Sequence, residues 1–171
     1  MVALPLLSLI RRAVPFPAIL LLAGACAVEM PSGFPVPDGL GGGLEDVVSV
    51  GFRNLSDSDA VNVEFYVTSE PLANLPGDLF VEANLVTANI GIAGTGIVLP
   101  RSSDAVDLPC SDTLTLGTRG GTFFDNESGE RRGVGDPRWA QASSLGLCGG
   151  IVVFTFSETA NGFATDVSIG R

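Results

Sequence analysis

The chain has 171 residues, 46% hydrophobic and 16% charged, with a formal net charge of −10. This length suits one domain with a buried core, and the acidity argues against nucleic-acid binding because a negative field repels the phosphate backbone. All nine basic residues are arginine, and histidine is absent. The lack of histidine and lysine excludes Ser-His-Asp and Cys-His catalysis, Schiff-base chemistry and a P-loop.

The first 25 residues predict an export signal. Arg11 and Arg12 are the only charged residues before position 29, and thirteen uncharged residues separate them from Cys26. A basic segment, an apolar stretch and a small-residue end are the parts of a secretory signal. The uncharged run 13–28 is shorter than the ~18–20 residues of a membrane-spanning helix, and Pro15 and Pro17 oppose a helix there.

Residues 22–26 (LAGAC) resemble the lipobox of bacterial lipoproteins. The resemblance implies cleavage before Cys26 and attachment of diacylglycerol to its thiol, although Ala23 stands where leucine is commonest. Ala27, in place of aspartate, implies sorting to the outer membrane by the rule for enteric-type lipoproteins. Two alternatives stay open: a plain secretory signal with an incidental cysteine, and twin-arginine export through the arginine pair.

Residues 26–43 predict a flexible tether after the signal peptide (1–25). Positions 27–43 contain three prolines and five glycines, which oppose any regular element. The remaining residues, 44–171, are predicted to form one β-rich domain that the tether holds away from the membrane.

From residue 44 onward, apolar and polar residues alternate, as is typical of β-strands. Val48, Val50 and Phe52 share one face of a first strand, residues 61–67 repeat the pattern, and the turn-forming cluster 54–59 predicts that the two form a hairpin. A further extended run covers 79–90, and a tight turn at 92–97 leads into a strand at 97–99.

The second half predicts more strands and one helix. Short strands are expected at 105–108, 113–116 and 122–124, and longer ones at 151–156 and 163–169, joined by the favoured hairpin turn Asn161-Gly162. A short helix is predicted over 137–145, because Asp136 suits its cap, Pro137 its first turn and Gly146 its end. The predicted fold is mainly β, a single antiparallel β-sandwich with one short helix.

The first hairpin, with VSVGFRNLS running into VNVEFYV, resembles the opening strands of bacterial immunoglobulin-like surface domains. The resemblance covers about 25 residues and implies an immunoglobulin-like sandwich, without implying an activity.

Three cysteines, an odd number, require an explanation in an exported protein. If Cys26 is lipidated, Cys110 and Cys148 remain as one pair, and an oxidising compartment favours their disulfide. The alternative is two free buried thiols.

Two acidic clusters offer the hard oxygen ligands that calcium prefers. They are Asp57 with Asp59, and Asp125 with Glu127 and Glu130. The second cluster lacks the ligand spacing of an EF-hand loop, and solvated turns explain both clusters equally well. Arg131 and Arg132 are expected to decorate a loop near these glutamates.

Trp139 is the only tryptophan of the chain. If its ring is exposed it is a candidate for stacking on a sugar, and if it lies within the predicted helix it packs onto the sheet instead.

These observations predict a non-catalytic lipoprotein of the cell envelope, exported and membrane-anchored in the periplasm or at the cell surface. We expect no cofactor and no metal. The expected partners are the membrane, through the lipid anchor, and an envelope protein or glycan. The alternatives are a carbohydrate- or calcium-binding module and a small secreted hydrolase that uses a pair of carboxylates.

Overall fold

Alternating apolar residues build eleven β-strands in the residues that the computed structural model describes, 46–86, 90–141 and 148–170. These ranges belong to the compact unit Gly39–Arg171. The predicted signal peptide (1–25), Cys26 and the tether (26–43) lie outside the described residues. The described part is mainly β, as predicted.

The strands and short 3-10 turns of the described residues follow in chain order. The strands are β1 (Val47–Asn54), β2 (Asp59–Asn62), β3 (Phe65–Thr68), β4 (Ile97–Val98), β5 (Ser103–Pro109), β6 (Thr115–Thr118), β7 (Thr122–Asp125), β8 (Arg131–Val134), β9 (Arg138–Gln141), β10 (Ile151–Thr159) and β11 (Gly162–Gly170). The 3-10 turns are Glu82–Asn84, Ile92–Gly94 and Cys110–Asp112. No helix within these ranges is long and apolar enough to cross a membrane.

The described strands pair into three sheets. Sheet 1 has the order β11-β10-β1-β5, sheet 2 the order β4-β2-β7-β8, and sheet 3 the order β3-β6-β9. Within these sheets, β1 and β10 run parallel, with Phe52 opposite Phe154, and the other pairs are antiparallel. Sheet 1 is therefore mixed, which differs from the wholly antiparallel arrangement predicted.

The predicted hairpin between residues 48–52 and 61–67 is wrong. β1 lies between β10 and β5, whereas β2 pairs with β4 and β7. The chain changes sheet at 54–59, where Asn54 donates through its side-chain amide to the carbonyls of Asp59 (2.8 Å) and Val98 (3.1 Å). The resemblance to immunoglobulin-like domains rested on this hairpin and gains no support from the pairing.

The terminal hairpin is confirmed, with its turn one residue earlier than predicted. β10 and β11 pair over their whole length, from Ile151 opposite Gly170 to Thr159 opposite Gly162. The two residues between the strands are Ala160 and Asn161, and the Thr159 hydroxyl donates to the Gly162 carbonyl at 3.0 Å.

Sheets 2 and 3 share a long bent ladder. β6 pairs with β9 and β7 pairs with β8, and Thr118 opposite Arg138 and Thr122 opposite Val134 keep one register. The ladder bends between these two pairs, where the Gly135 amide donates to the Gly121 carbonyl at 3.0 Å. A Cβ atom at Gly121 would collide with Val61 and lie 2.8 Å from the Phe156 ring, so glycine permits the close approach to sheet 1.

The predicted helix at 137–145 is wrong over its first part, and 142–147 lie outside the described residues. Arg138–Gln141 form β9, and Asp136 pairs with Arg138 (3.8 Å) instead of capping a helix. Four cross-strand pairs with β6 decide the outcome, because non-local pairing outweighs a local capping signal.

Inward-facing side chains from all three sheets form one core. Phe52 packs against Phe65 at a centroid distance of 5.1 Å, with the rings nearly perpendicular, and Phe154 lies 6.0 Å from Phe52. The remaining buried members of the core include Val48, Val50, Val61, Val98, Leu116, Phe123, Val152 and Phe156. The alternating apolar residues of β1 and β10 therefore form the buried face of each strand, as the sequence predicted.

Candidate interaction site

Cys110 and Cys148 form a disulfide in the structure, as predicted, with a Cα–Cα distance of 5.5 Å. Cys110 directly follows β5, and Cys148 lies shortly before β10. Both strands flank β1 in sheet 1, and the Gly149 amide donates to the Val47 carbonyl at 2.8 Å. The cross-link therefore lies at the end of sheet 1 where the chain enters its first described strand.

The predicted cluster of Asp125, Glu127 and Glu130 lies in the turn between β7 and β8. The Asp125 carboxylate accepts hydrogen bonds from the Ser128 amide and hydroxyl (both 2.8 Å) and the Glu127 amide (3.2 Å). The hydrogen bonds from Ser128 lower the pKa of Asp125. These hydrogen bonds make the Asp125 carboxylate a turn-closing group. In the described ranges, no three potential metal-ligating side chains come together.

The other predicted acidic pair, Asp57 and Asp59, is divided between two environments. Asp57 is exposed and pairs with Arg101. Asp59 is 1% exposed, and its Oδ1 lies 3.9 Å from Nε of Arg132 without a hydrogen-bond partner. Asp59 also lies opposite Asp125 in the β2–β7 ladder. Arg132 thus supplies the positive charge that a buried carboxylate next to a second acid requires.

Trp139 lies on β9, an edge strand of sheet 3, and is 38% exposed. Across sheet 3, Trp139 lies opposite Gly117, and Gly117 lies opposite Tyr66. The Tyr66 hydroxyl donates to Glu64 (2.8 Å), and the Arg119 guanidinium lies 5.1 Å from the Tyr66 ring centre. Burial and the bond to Glu64 raise the pKa of Tyr66 to about 12.

A groove that sequence reasoning missed lies at the corner where the chain passes from sheet 2 to sheet 1. We call it the edge groove. It is about 270 Å³ in volume and is lined by Ile97 and Val98 of β4, Ser103 and Asp104 of β5, and Gly91, Ile92, Leu99 and Ser102 of the adjoining loops. The exposure of Ile92 and Leu99 was not visible in the sequence, because both positions look like ordinary strand or turn residues.

The loop on one side of the edge groove is tightly built. Gly91 has a φ of 72°, and a Cβ atom there would collide with the Ile97 backbone. Ala93 also has a positive φ (50°), which is uncommon for a residue with a Cβ atom. The Gly91 amide donates to the Asp104 carboxylate, which fastens the loop to β5. Ile92 is consequently presented to solvent at 50% exposure.

A second, smaller groove of about 200 Å³ lies beside the same loop. Val63, Leu85 and Ile90 contribute its apolar lining, and Glu64 contributes a carboxylate. Both grooves therefore combine apolar surface with an acidic group.

Charge is unevenly distributed around the two grooves. Residues 56–107 contain eight acidic residues and a single arginine, whereas residues 119–138 contain four of each. The one arginine of the first segment, Arg101, is ion-paired with Asp57. The residues that line both grooves belong to the acidic segment 56–107. Two arginines from outside it lie nearby, Arg53 opposite Ser103 and Arg119 at 3.9 Å from Glu64.

No protein-family model, curated protein or solved structure matches this chain.

Proposed function

We propose that this chain is a non-catalytic, lipid-anchored protein of the bacterial cell envelope, whose β-domain works by binding another protein. The observation that carries the proposal is the pairing of the cysteines. Cys110 and Cys148 are bonded to each other, so Cys26, at the end of the LAGAC motif, is the one of the three cysteines outside this disulfide. A disulfide is typical of exported proteins, and the spare thiol stands where a lipobox requires it.

The position of the disulfide also suits an anchored domain. Closing a loop with a sequence separation of 38 residues stabilises a fold by about 3–4 kcal/mol in the chain-entropy treatment. The cross-link lies beside Val47, the first residue of β1, next to the point where the proposed tether joins the domain. The first strand is thereby held on both sides in sheet 1.

We further propose that the three sheets form a two-layered β-sandwich, with sheet 1 as one layer and the bent sheets 2 and 3 as the other. In support, the core draws Val50 and Phe154 from sheet 1, Phe123 from sheet 2 and Leu116 from sheet 3. In β10, Phe154 and the other buried residues alternate with more exposed ones, as in packed two-layer β-domains.

The surroundings of Asp59 and Asp125 do not suit a hydrolytic pair of carboxylates. Asp59 and Asp125 lie opposite each other, as an acid–base pair would, but one is buried beside Arg132 and the other is held by its own turn. A hydrolase needs one carboxyl group free to donate a proton and another free to attack or activate water.

A glycan-binding role is the second candidate, and the exposure of Trp139 on an edge strand favours it. An exposed indole ring offers the flat apolar surface on which a sugar ring stacks. Loss of glycan binding in Trp139→Ala, with binding retained in Trp139→Phe, would support this role.

Intact-mass spectrometry of the protein purified from its native membrane tests the anchoring. We expect a chain that lacks residues 1–25, carries acyl groups on Cys26 and contains no alkylatable thiol before reduction. Cys26→Ala should remain unprocessed or leave the membrane, while the Cys110→Ser and Cys148→Ser double variant should stay anchored. A native chain with residues 1–25 intact, no acyl group and three alkylatable thiols would refute the proposal.

A further inference from the structure

We infer that the edge groove binds an extended, cationic segment of a partner protein, which adds as a strand to β5 and places an apolar side chain against Ile92 and Leu99. The inference rests on the proposed binding function and specifies its site and the chemistry of its partner. It follows from the open strand edge, the apolar lining and the local charge.

The backbone supplies the first part of the argument. β5 pairs with β1 on one side, and β4 pairs with β2; on the other side of each, no strand of the described ranges is bonded. An edge strand directs about half of its backbone N–H and C=O groups outward, and a partner's strand satisfies them by β-addition. The edge groove lies between these two open edges.

The apolar lining supplies the second part. Leu99 and Ile92 are exposed on the walls of the groove, while Val98 is buried at its base. The loop holds Ile92 outward by an uncommon backbone geometry at Ala93 and by the hydrogen bond from Gly91 to Asp104. Uncommon backbone conformations tend to persist where function uses them. A side chain of a bound strand would bury the exposed surfaces of both residues.

The charge of the edge decides the nature of the partner. β5 carries Asp104 and Asp107 and no basic residue. The neighbouring cations are Arg101, which is ion-paired with Asp57, and Arg53 of β1, which lies opposite Ser103, while the segment 56–107 holds six further acids. A second copy of this chain would bring its own two aspartates to the same edge, and like charges on adjacent strands destabilise pairing. A strand with alternating basic and apolar residues is instead complementary to both the charge and the lining.

Titration calorimetry with the full-length protein and a synthetic eight-residue peptide of alternating arginine and valine tests the inference. We expect saturable binding that weakens at least tenfold on raising the salt concentration, because the attraction is largely electrostatic. The same peptide with glutamate in place of arginine should not bind. N-methylation of alternate backbone nitrogens of the arginine peptide should abolish binding, because it removes the strand-pairing donors.

Matched variants locate the site. Ile92→Ser with Leu99→Ser should weaken binding at least tenfold, whereas Val134→Ser with Ile169→Ser, which alter similarly exposed apolar residues elsewhere, should leave it unchanged. Asp104→Asn, which keeps an acceptor for Gly91, should weaken binding about fivefold, and Asp166→Asn should not.

Four results would overturn the inference. Three of them are no saturable binding up to about 1 mM peptide, equal binding of the glutamate peptide, and equal loss in the two serine double variants. Concentration-dependent dimerisation that the Ile92→Ser and Leu99→Ser pair abolishes would assign the groove to a second copy and also overturn it. A chain that is acylated on Cys26 but binds no peptide would contradict the groove alone. An unacylated chain that binds the peptide would contradict the anchoring alone.

Discussion

Sheet 1 and the segment 69–96 are stabilised by different interactions. In sheet 1, β1 and β10 bury every second side chain and satisfy their backbone groups by pairing with neighbours on both sides. The segment 69–96 contains only 3-10 turns and isolated contacts in its described part. Side-chain bonds fasten it: Asp78 accepts from the Asn74 amide (2.9 Å), and Asn84 donates to the carbonyls of Asp78 (3.1 Å) and Leu79 (3.0 Å).

The two regions also differ in how many of their large apolar side chains are buried and how many are exposed. Sheet 1 contributes three of the five fully buried phenylalanines, Phe52, Phe154 and Phe156, and it carries the disulfide at one end. The loop segment contributes one fully buried large side chain, Leu79, and presents Val81, Leu85 and Ile92 to solvent. Most of the large side chains that stabilise the fold therefore lie outside the loop segment, and this segment supplies one wall of the edge groove beside β5.

Truncating the core of sheet 1 should have the largest effect. We expect Phe154→Ala to lower the free energy of unfolding by about 4 kcal/mol, because Phe154 is fully buried and packs against Phe52 and Phe65. Urea denaturation followed by circular dichroism measures the change. Ile169→Ala, at an exposed position of the same sheet, is the control and should change stability by less than about 1 kcal/mol. Similar losses in both variants would contradict the assigned core.

Removing the disulfide should have the next largest effect. The Cys110→Ser and Cys148→Ser double variant should unfold about 3–4 kcal/mol more easily, because its unfolded chain gains the freedom that the closed loop denied it. Urea denaturation without reductant measures the loss. Reductant should destabilise the natural chain to a similar extent and leave the double variant unaffected. An unchanged midpoint would show that the cross-link does not stabilise sheet 1.

Ionisation of Tyr66, at the boundary between sheet 3 and the loop segment, should have a smaller effect on stability, which depends on pH. Its pKa is raised to about 12 by burial and by the hydrogen bond to Glu64, against about 10 in the unfolded chain. The folded state therefore keeps a proton that the unfolded state loses between these values, so stability is fully present below pH 10 and falls as pH rises toward 12.

Near-ultraviolet absorbance follows this titration directly, because Tyr66 is the only tyrosine of the chain. Tyr66→Phe should cost about 1 kcal/mol at neutral pH through the lost hydrogen bond and should remove Tyr66's contribution to the alkaline decline in stability. A phenolate midpoint near 10 in the folded protein would contradict the burial of this hydroxyl.

A substitution in the exposed loop should have the smallest effect on stability. Ile92→Ser should change the free energy of unfolding by no more than about 0.5 kcal/mol, because the side chain is half exposed and contributes little to the core. Comparison of its urea midpoint with that of the natural chain measures the change. A loss above about 1.5 kcal/mol would mean that Ile92 stabilises the fold, and the separation between the two regions would fail.

Local signals predicted some elements well and others poorly. The alternation in 151–156 and 163–169 predicted a hairpin that the structure contains, because its two strands are joined by two residues and pair with each other. The same kind of alternation in 48–52 and 61–67 predicted a hairpin that does not form. Alternation reports which face of a strand is buried, but it carries no information about the neighbouring strand.

Local sequence signals also gave wrong secondary structure where contacts with distant residues determine it. Asp136 and Pro137 are suited to the start of a helix, yet residues 138–141 join β6 as β9. The run 79–90 looked extended, but its described part contains the 3-10 turn Glu82–Asn84. The edge groove escaped prediction because its walls come from two sheets and a loop, whose proximity no sequence spacing reveals.

The sequence by itself determined that this chain is β-rich and acidic and that two of its three cysteines were candidates to pair, because composition, alternation and parity are properties of the chain alone. Only the tertiary structure decided which strands are neighbours, that Asp59 is buried beside Arg132, and that Ile92 and Leu99 face solvent beside an open strand edge. Those outcomes depend on packing between residues far apart in the chain, where burial and cross-strand hydrogen bonds outweigh local preference.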